Sequence, residues 1–531
     1  MKRSVILGMV FLALLSGVGS SLLAQGKGSI AFGLSGNPDT LDPQKTAGTL
    51  TFQVVKSFYD TLVEPDISGK LVPALAESWT VSPDGLTWTF KLRPGVVFHN
   101  GQALTSRDVK ATLDRIRDPS FASPRRSEFT AIKEVKTPDP QTAVIILSAP
   151  YAPILANLAS GWGAILPADL IQSGHNFDSE PVGTGPFKFE KWIRDNKISM
   201  VRNEKYWMKG LPKLARVDFQ IVPERSVQIQ GLMSGAIDAV EYVDPEDLPI
   251  LQSNPNITIR KEQTSMILVM AMNCSREPLN DLRVRQAINY AVDKQLVLDI
   301  AYGGGKVGSS FMDTGNAYYT DFSHFYPYNP DKAKQLLKDA GVGNRQFTIT
   351  VPQNYPLHVK AGELIQQMLE KVGMNVKIQL VDWSSWLARI YTEGNFDLTI
   401  IGHTGKLDPD GTLAGYGTDK KYVRWINPTC DARIKEAATI SDFAVRKKLY
   451  TEALEIMAKE VPFVYLGSSY RYVTMRSNIA DFRITPNLDS YDFRWTELRG
   501  SLSHARNPAE YAELVVAAFS HLRTKYGLVP D

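Results

Sequence analysis

Residues 383–401 read WSSWLARIYTEGNFDLTII, and residues 228–243 read QIQGLMSGAIDAVEYV. Each begins with a helical pattern, breaks at a glycine (Gly394, Gly235) and passes through an aspartate into a short apolar run. A glycine that ends a helix in the left-handed conformation lets the chain enter a strand at once. The two glycines lie 159 positions apart. That spacing suits two related α/β lobes better than a solenoid, whose repeats run to about 20–50 residues.

Other elements share this grammar. Trp79–Leu92 predicts a hairpin turning at Pro83-Asp84-Gly85, with Leu86, Trp88, Phe90 and Leu92 alternating against Thr87, Thr89 and Lys91. Asn329 and Pro330 cap and open a helix ending at Gly341, and Val359–Val372 predicts another, stopped by Gly373. Asp281–Tyr302 reads as one long helix, with Val284, Ala287, Ile288, Ala291 and Val292 on its apolar side. Strands over 347–351, 376–381 and 398–401 alternate with these helices, so the fold class is α/β. The apolar run Met266–Met272 carries the chain from the first lobe into the second, and 461–473 returns it. Two such crossings form a hinge on which opposed lobes can close.

A chain of 531 residues holds several domain cores. The 59 Lys and Arg against 56 Asp and Glu leave +3, too little to indicate nucleic acid or an anionic membrane as partner. Lys2 and Arg3 precede the apolar run Val5–Leu15 and then small residues, the order of a secretory signal peptide, with cleavage placed after Ala24. Its removal lowers the net charge to about +1. With no cysteine near the cleavage region the sequence predicts no lipid anchor and a soluble mature chain in the periplasm. Cys274 and Cys430 read as separate buried thiols rather than a disulfide.

Motifs for catalysis are missing. Gly303, Gly305 and Gly308 spell G-x-G-x-x-G, but they follow a helix where a dinucleotide site follows a strand. No P-loop, G-x-S-x-G or H-E-x-x-H occurs, and no two of the seven histidines have local metal-ligand spacing. Nothing in these motifs argues for an enzyme, and no metal or cofactor is expected. The polar stretch 403–411, HTGKLDPDG, leaves the end of a buried-type strand, where α/β folds gather ligand sites. Trp162 stands between Gly161 and Gly163, which predicts an exposed turn.

In this order, several segments resemble the extracytoplasmic solute-binding proteins of ABC importers, family 5, the peptide, oligopeptide and nickel binders. They are Asp39-Thr40-Leu41-Asp42-Pro43, Pro73-Ala74-Leu75-Ala76-Glu77-Ser78-Trp79, Phe98-His99-Asn100-Gly101, Gly183-Thr184-Gly185-Pro186-Phe187, Leu282-Arg283-Val284-Arg285-Gln286-Ala287 and Pro462-Phe463-Val464-Tyr465-Leu466. The resemblance covers about 29–499. It implies the two-lobed type II periplasmic-binding-protein fold with an extra N-terminal subdomain and a two-strand hinge. The divisions are a signal peptide at 1–24, lobe I at 25–265, lobe II at 266–467, a return segment at 468–499 and a helical tail at 500–531. It implies a monomer that delivers a peptide to a permease and ATPase complex.

The resemblance also implies site residues, with departures. Oligopeptide binders hold the peptide ammonium with an aspartate in the loop after lobe II's strand. Here Lys406 takes that place and Asp408 follows. An acid before the L-D-P motif becomes Asn37, and the arginine that dipeptide binders use for the ligand carboxylate becomes Tyr355. The candidate ligand-binding set is Asn37, Trp162, Tyr355, Trp383, His403, Thr404, Gly405, Lys406 and Asp408. An ammonium facing Lys406 with no carboxylate would be strongly disfavoured. The alternatives are an oligosaccharide or other polar solute stacked on Trp162 and Trp383, a metal chelate held by His403, or a periplasmic hydrolase.

Overall fold

The structure is a computed structural model that describes residues 28–499 except 419, 421 and 486–489. The predicted signal peptide and the 500–531 tail lie outside the described residues.

One twelve-stranded mixed sheet runs through both lobes. In lobe I its strands include β1 (Ser29–Leu34), β2 (Arg216–Ile221), β3 (Ala239–Val240) and β4 (Ile257–Gln263). In lobe II they include β5 (Met266–Met272), β6 (Gln346–Pro352), β7 (Asn375–Val381) and β8 (Leu398–Thr404). The fourteen-residue β9 (Phe463–Arg476) belongs to both. Its first half pairs antiparallel with β5, Ala271 opposite Phe463. Its second half pairs with β4, Gln263 opposite Tyr470 through Ile257 opposite Arg476, and with β3.

The repeat seen in the sequence recurs in this topology. In lobe I, β1 lies between β2 and β3, parallel to both. In lobe II, β6 lies between β7 and β8, again parallel to both. Each third strand then meets an antiparallel neighbour, β9 for β3 and β5 for β8. Gly235 and Gly394 are the left-handed stops before these third strands, at φ +79° and +65°. A separate four-stranded sheet, built on the Ala76–Val81 and Thr87–Leu92 hairpin, forms the extra subdomain.

Strand alternation divides the core of lobe II. Leu268, Met270 and Met272 of β5 enter a cluster with Ile288 and Leu298, while Ile267, Val269 and Ala271 enter one with Tyr450 and Phe463 on the other face. A strand buried on both sides reads as a continuous apolar run, which is why β5 is legible in the sequence. Lobe I buries Phe32, Phe58, Phe90, Trp162 and Phe219 around a third cluster.

Two local expectations are corrected. The helix expected over Asp281–Tyr302 is two, Leu282–Ala291 and Lys294–Tyr302. Val292 is extended and Asp293 accepts the Leu296 amide, so a second N-cap interrupts the apolar rhythm that both helices share. Trp162 is not exposed: it is 2% accessible and meets Phe52 edge to face at 5.1 Å. Its glycines serve close approach, since a Cβ at Gly161 would lie 2.5 Å from the Phe52 ring and one at Gly163 would lie 2.8 Å from the Leu158 carbonyl. The helix read from Trp383 is present, and over Trp386–Thr392 it is wound as a π-helix with Trp386 buried in the core. The helix-exit reading of the glycine motif agrees with the structure. Gly303 ends the helix at φ +70°, and Gly305–Val307 continues as a strand on β9. Cys274 and Cys430 are free thiols.

At Gly467, where β9 changes partners, φ is +130° and a Cβ would lie 2.1 Å from the Lys306 carbonyl. Gly467→Ala is expected to lower unfolding stability by about 2–4 kcal/mol in urea titration. The return segment is held by Arg494, which is paired with Asp492 at 2.7 Å and with Glu64 at 2.9 Å. Burial acts to raise the Glu64 pKa, but Lys56 and Arg494 outweigh it and hold it at about 2. Because the folded pKa is depressed, this stability is present above the unfolded value of about 4.5 and is lost as pH falls towards 2. Glu64→Gln should remove about 3 kcal/mol of the stability measured at pH 7 and flatten its decline between pH 4.5 and 2.

Candidate functional site

Between the lobes lies a cavity of about 1020 Å³. Its floor is the crossing itself: Gln263, Thr264 and Ser265 line it, and the Gly405 amide donates to the Ser265 carbonyl at 3.0 Å. Lobe I contributes Lys70, Trp88 and Leu155, and lobe II contributes Asp313, Lys406, Phe443 and Arg446. Arg471, Asp481 and Arg483 of the return segment complete the wall. The cavity opens at the carboxyl end of β8, where the sequence placed the ligand loop.

Asp408 is engaged twice. It accepts the Asp410 amide at 3.0 Å, capping the helix Pro409–Leu413, and it pairs with Arg446 at 2.8 Å. Arg446 also donates to Tyr318 Oη at 3.0 Å and to the Ala437 carbonyl at 3.0 Å. Both side chains are less than a tenth exposed. A buried pair of this kind holds the loop to the helix Phe443–Glu460, and losing either member would leave an uncompensated charge.

Lys406 lies between the lobes. Its carbonyl accepts from Asn316 Nδ2 at 3.2 Å, and its Nζ is 5.2 Å from the Trp162 ring centroid. Arg125 lies 4.6 Å from the same indole and is paired with Glu128 at 3.2 Å. Burial lowers the Lys406 pKa, Arg125 lowers it further, and Glu128 partly opposes both. Two hydrogen bonds join the lobes nearby, from Tyr151 Oη to Asp410 at 2.9 Å and from the Ala152 amide to the Ala438 carbonyl at 2.7 Å.

The candidate residues fall into three places. Gly405, Lys406 and Asp408 line the cavity, and Trp162 lies against Lys406. Tyr355, Trp383 and His403 belong to a neighbouring aromatic array, with Thr404 beside them on β8 opposite Met266. The Tyr355 ring meets Trp383 at 5.3 Å, and Trp383 lies parallel to Trp386 at 5.2 Å. Trp386 Nε1 donates to Thr399, so this tryptophan pair anchors to the sheet. His403 sits among Phe311, Tyr416 and Tyr422, and burial, with a smaller effect from His358, lowers its pKa to about 4. A neutral imidazole is therefore its form at pH 7. Asn37 lies apart from the cavity, bonded to Asp195 at 2.6 Å and to the Trp192 indole at 3.3 Å.

The lining residues Arg260, Glu262, Asp313, Arg471 and Arg483 were missed in the sequence. Arg260 and Glu262 lie in the polar run Arg-Lys-Glu-Gln at the end of β4, which reads along the chain as an ordinary solvated strand end. Arg471 meets Glu262 at 3.3 Å across β9, a pairing that depends on register and not on spacing along the chain. Among the described residues no cluster of His, Cys, Asp or Glu is arranged to hold a metal ion, and no helix is long and apolar enough to cross a membrane.

The family model of bacterial extracellular solute-binding proteins, family 5 Middle, matches residues 70–422. The chain is 31% identical over 497 residues to di/tripeptide-binding protein 1 of Pseudomonas aeruginosa, across 86% of this chain and 92% of that protein. It is 28% identical over 494 residues to a glutathione-binding protein of Escherichia coli, across 90% of this chain and 96% of that one. Among solved structures it is similar to the ABC transporter-associated periplasmic binding protein DppA of Helicobacter pylori in complex with the peptide STSA. That match has a TM-score of 0.74 and 27% identity, and covers 89% of this chain and 98% of that one. The shared fold, the matched length and the cavity between two lobes agree: the chain belongs to the bacterial extracellular solute-binding proteins of family 5.

Proposed function

We propose that this protein captures a short peptide between its lobes and delivers it to the permease and ATPase of an ABC importer. The observation that carries the reading is the cavity. Its volume of about 1020 Å³ is at the upper end of the range of about 300–1,000 Å³ usual for small-molecule sites. Its walls combine apolar Trp88, Leu155 and Phe443 with Lys and Arg on one hand and Asp and Glu on the other. A peptide presents both charges and apolar side chains. A neutral oligosaccharide has no use for opposed charges, and the aromatic array of Tyr355 and Trp383 is outside the cavity lining. The relatives named above are described as binders of di- and tripeptides and of glutathione, which supports the same class.

In this reading the lobes are residues 25–265 and 266–467, with 468–499 returning to lobe I, and the protein acts as a monomer in the periplasm after removal of 1–24. Closure turns on Thr264–Ser265 and Gly467–Ser469. The two crossings are bonded to each other, the Thr264 amide and hydroxyl both reaching the Ser469 carbonyl at 3.0 Å. Ligand favours the closed state by touching both walls at once. No covalent step is needed.

Thermal denaturation of the full-length mature protein with di- and tripeptides tests this. At a concentration of 100 times Kd, a ligand of the folded state adds about 2.7 kcal/mol. A rising midpoint with peptides, none with maltotriose, and peptides recovered intact afterwards are the expected results. Cleaved peptides would point to an enzyme, and a response to the sugar alone would overturn the peptide class.

A further inference from the structure

Several acids in and beside the cavity are matched with bases. Asp408 is held by Arg446 at 2.8 Å, and Glu128 by Arg125 at 3.2 Å. Glu262 takes both Arg260 and Arg471. Arg446 in turn spends its guanidinium on Asp408, Tyr318, Tyr450 and the Ala437 carbonyl, which leaves it no role towards a ligand.

Lys406 is different. Among the described residues it enters no ion pair, although it lines the cavity and lies between the lobes. Its nearest aromatic, Trp162, is shared with a second cation, Arg125. Like charges around one indole repel, and Glu128, the carboxylate that could offset them, is bonded to Arg125. The loop cannot easily withdraw the ammonium, because Asn316 holds the Lys406 carbonyl, Ser265 holds the Gly405 amide and Arg446 holds Asp408. A partly desolvated ammonium whose neighbouring carboxylate, Glu128, is shared with a second cation is incompletely neutralised, and an anion brought to it gains a strong charge-assisted hydrogen bond.

We propose that Lys406 binds a carboxylate of the ligand and makes the cavity prefer solutes that present one to the Gly405–Leu407 loop. This deepens the peptide reading above and rests on it. It makes Lys406 a specificity-determining residue: the ligand's negative end is directed to the lobe interface beside Trp162. An ammonium directed there would meet two fixed cations.

Calorimetric titration with trialanine and with trialanine C-terminal amide separates the possibilities. The two probes differ in one carboxylate. Wild-type protein should bind the free acid about tenfold more tightly, or better. Lys406→Arg should keep that preference, Lys406→Met should bring the ratio close to one, and Lys406→Glu should reverse it. Circular dichroism melts show whether each variant is folded, and the arginine variant retains a positive readout if the methionine variant is not. A ratio unchanged in folded Lys406→Met, or equal binding of acid and amide by the wild type, overturns the assignment while leaving a peptide receptor standing. A wild-type protein that binds neither probe nor any other peptide overturns the peptide reading itself, and this inference with it.

Discussion

The backbone pairing of β9 is the constraint on which the molecule depends. A strand in a buried sheet must satisfy its amides and carbonyls from its neighbours, because an unpaired polar group away from water is costly. β9 does so with β5 in lobe II and with β3 and β4 in lobe I. The register shift between Leu268 and Val269 and the positive φ of Gly467 mark where the sheet changes from one lobe to the other. Because Thr264 bonds Ser469 at this point, the two crossings act as one narrow connection. The three apolar clusters lie to either side of it, and the proposed lobe closure is assigned to this connection.

The cavity inherits its chemistry from that arrangement. Ser265 lies at the crossing and receives the amide of Gly405, so the loop after β8 is fixed to the floor of the site. The same loop carries Asp408, which is spent on Arg446, and Lys406, which enters no ion pair among the described residues. Two residues apart in sequence, they have opposite parts. The acid is structural and the base faces the space between the lobes. Where the resemblance to oligopeptide binders suggested an aspartate for an ammonium, the proposed role of Lys406 would reverse the polarity.

Legibility varied with the range of the interaction. The repeat of helix, glycine and strand was visible because a left-handed stop and an apolar run are local signals, and the order β2–β1–β3 against β7–β6–β8 bears it out. The β5 run Met266–Met272 announced itself through burial on both faces. The break at Val292–Asp293 was hidden because the residues on either side keep the same apolar rhythm. Trp162 misled for a related reason: glycine marks both exposed turns and tight packing, and its neighbours Phe52 and Leu158 make it the second. Asn37 was placed in the site by motif position, yet its partners Asp195 and Trp192 lie more than 150 positions along the chain and away from the cavity.

By itself, the sequence determined the fold class, the two related lobes, the double crossing and the family resemblance. These follow from periodicity, capping and ordered motifs, all of which act over a few residues. It also pointed to the loop Gly405–Asp408 as part of the site. Which residue of that loop is paired and which is not, among the described residues, was decided by the tertiary structure alone. Arg446, 38 positions on, neutralises Asp408, and Trp162, from the other lobe, receives Lys406. Charge pairing depends on distance in space and on the removal of water, and neither quantity is written in the spacing of residues along the chain.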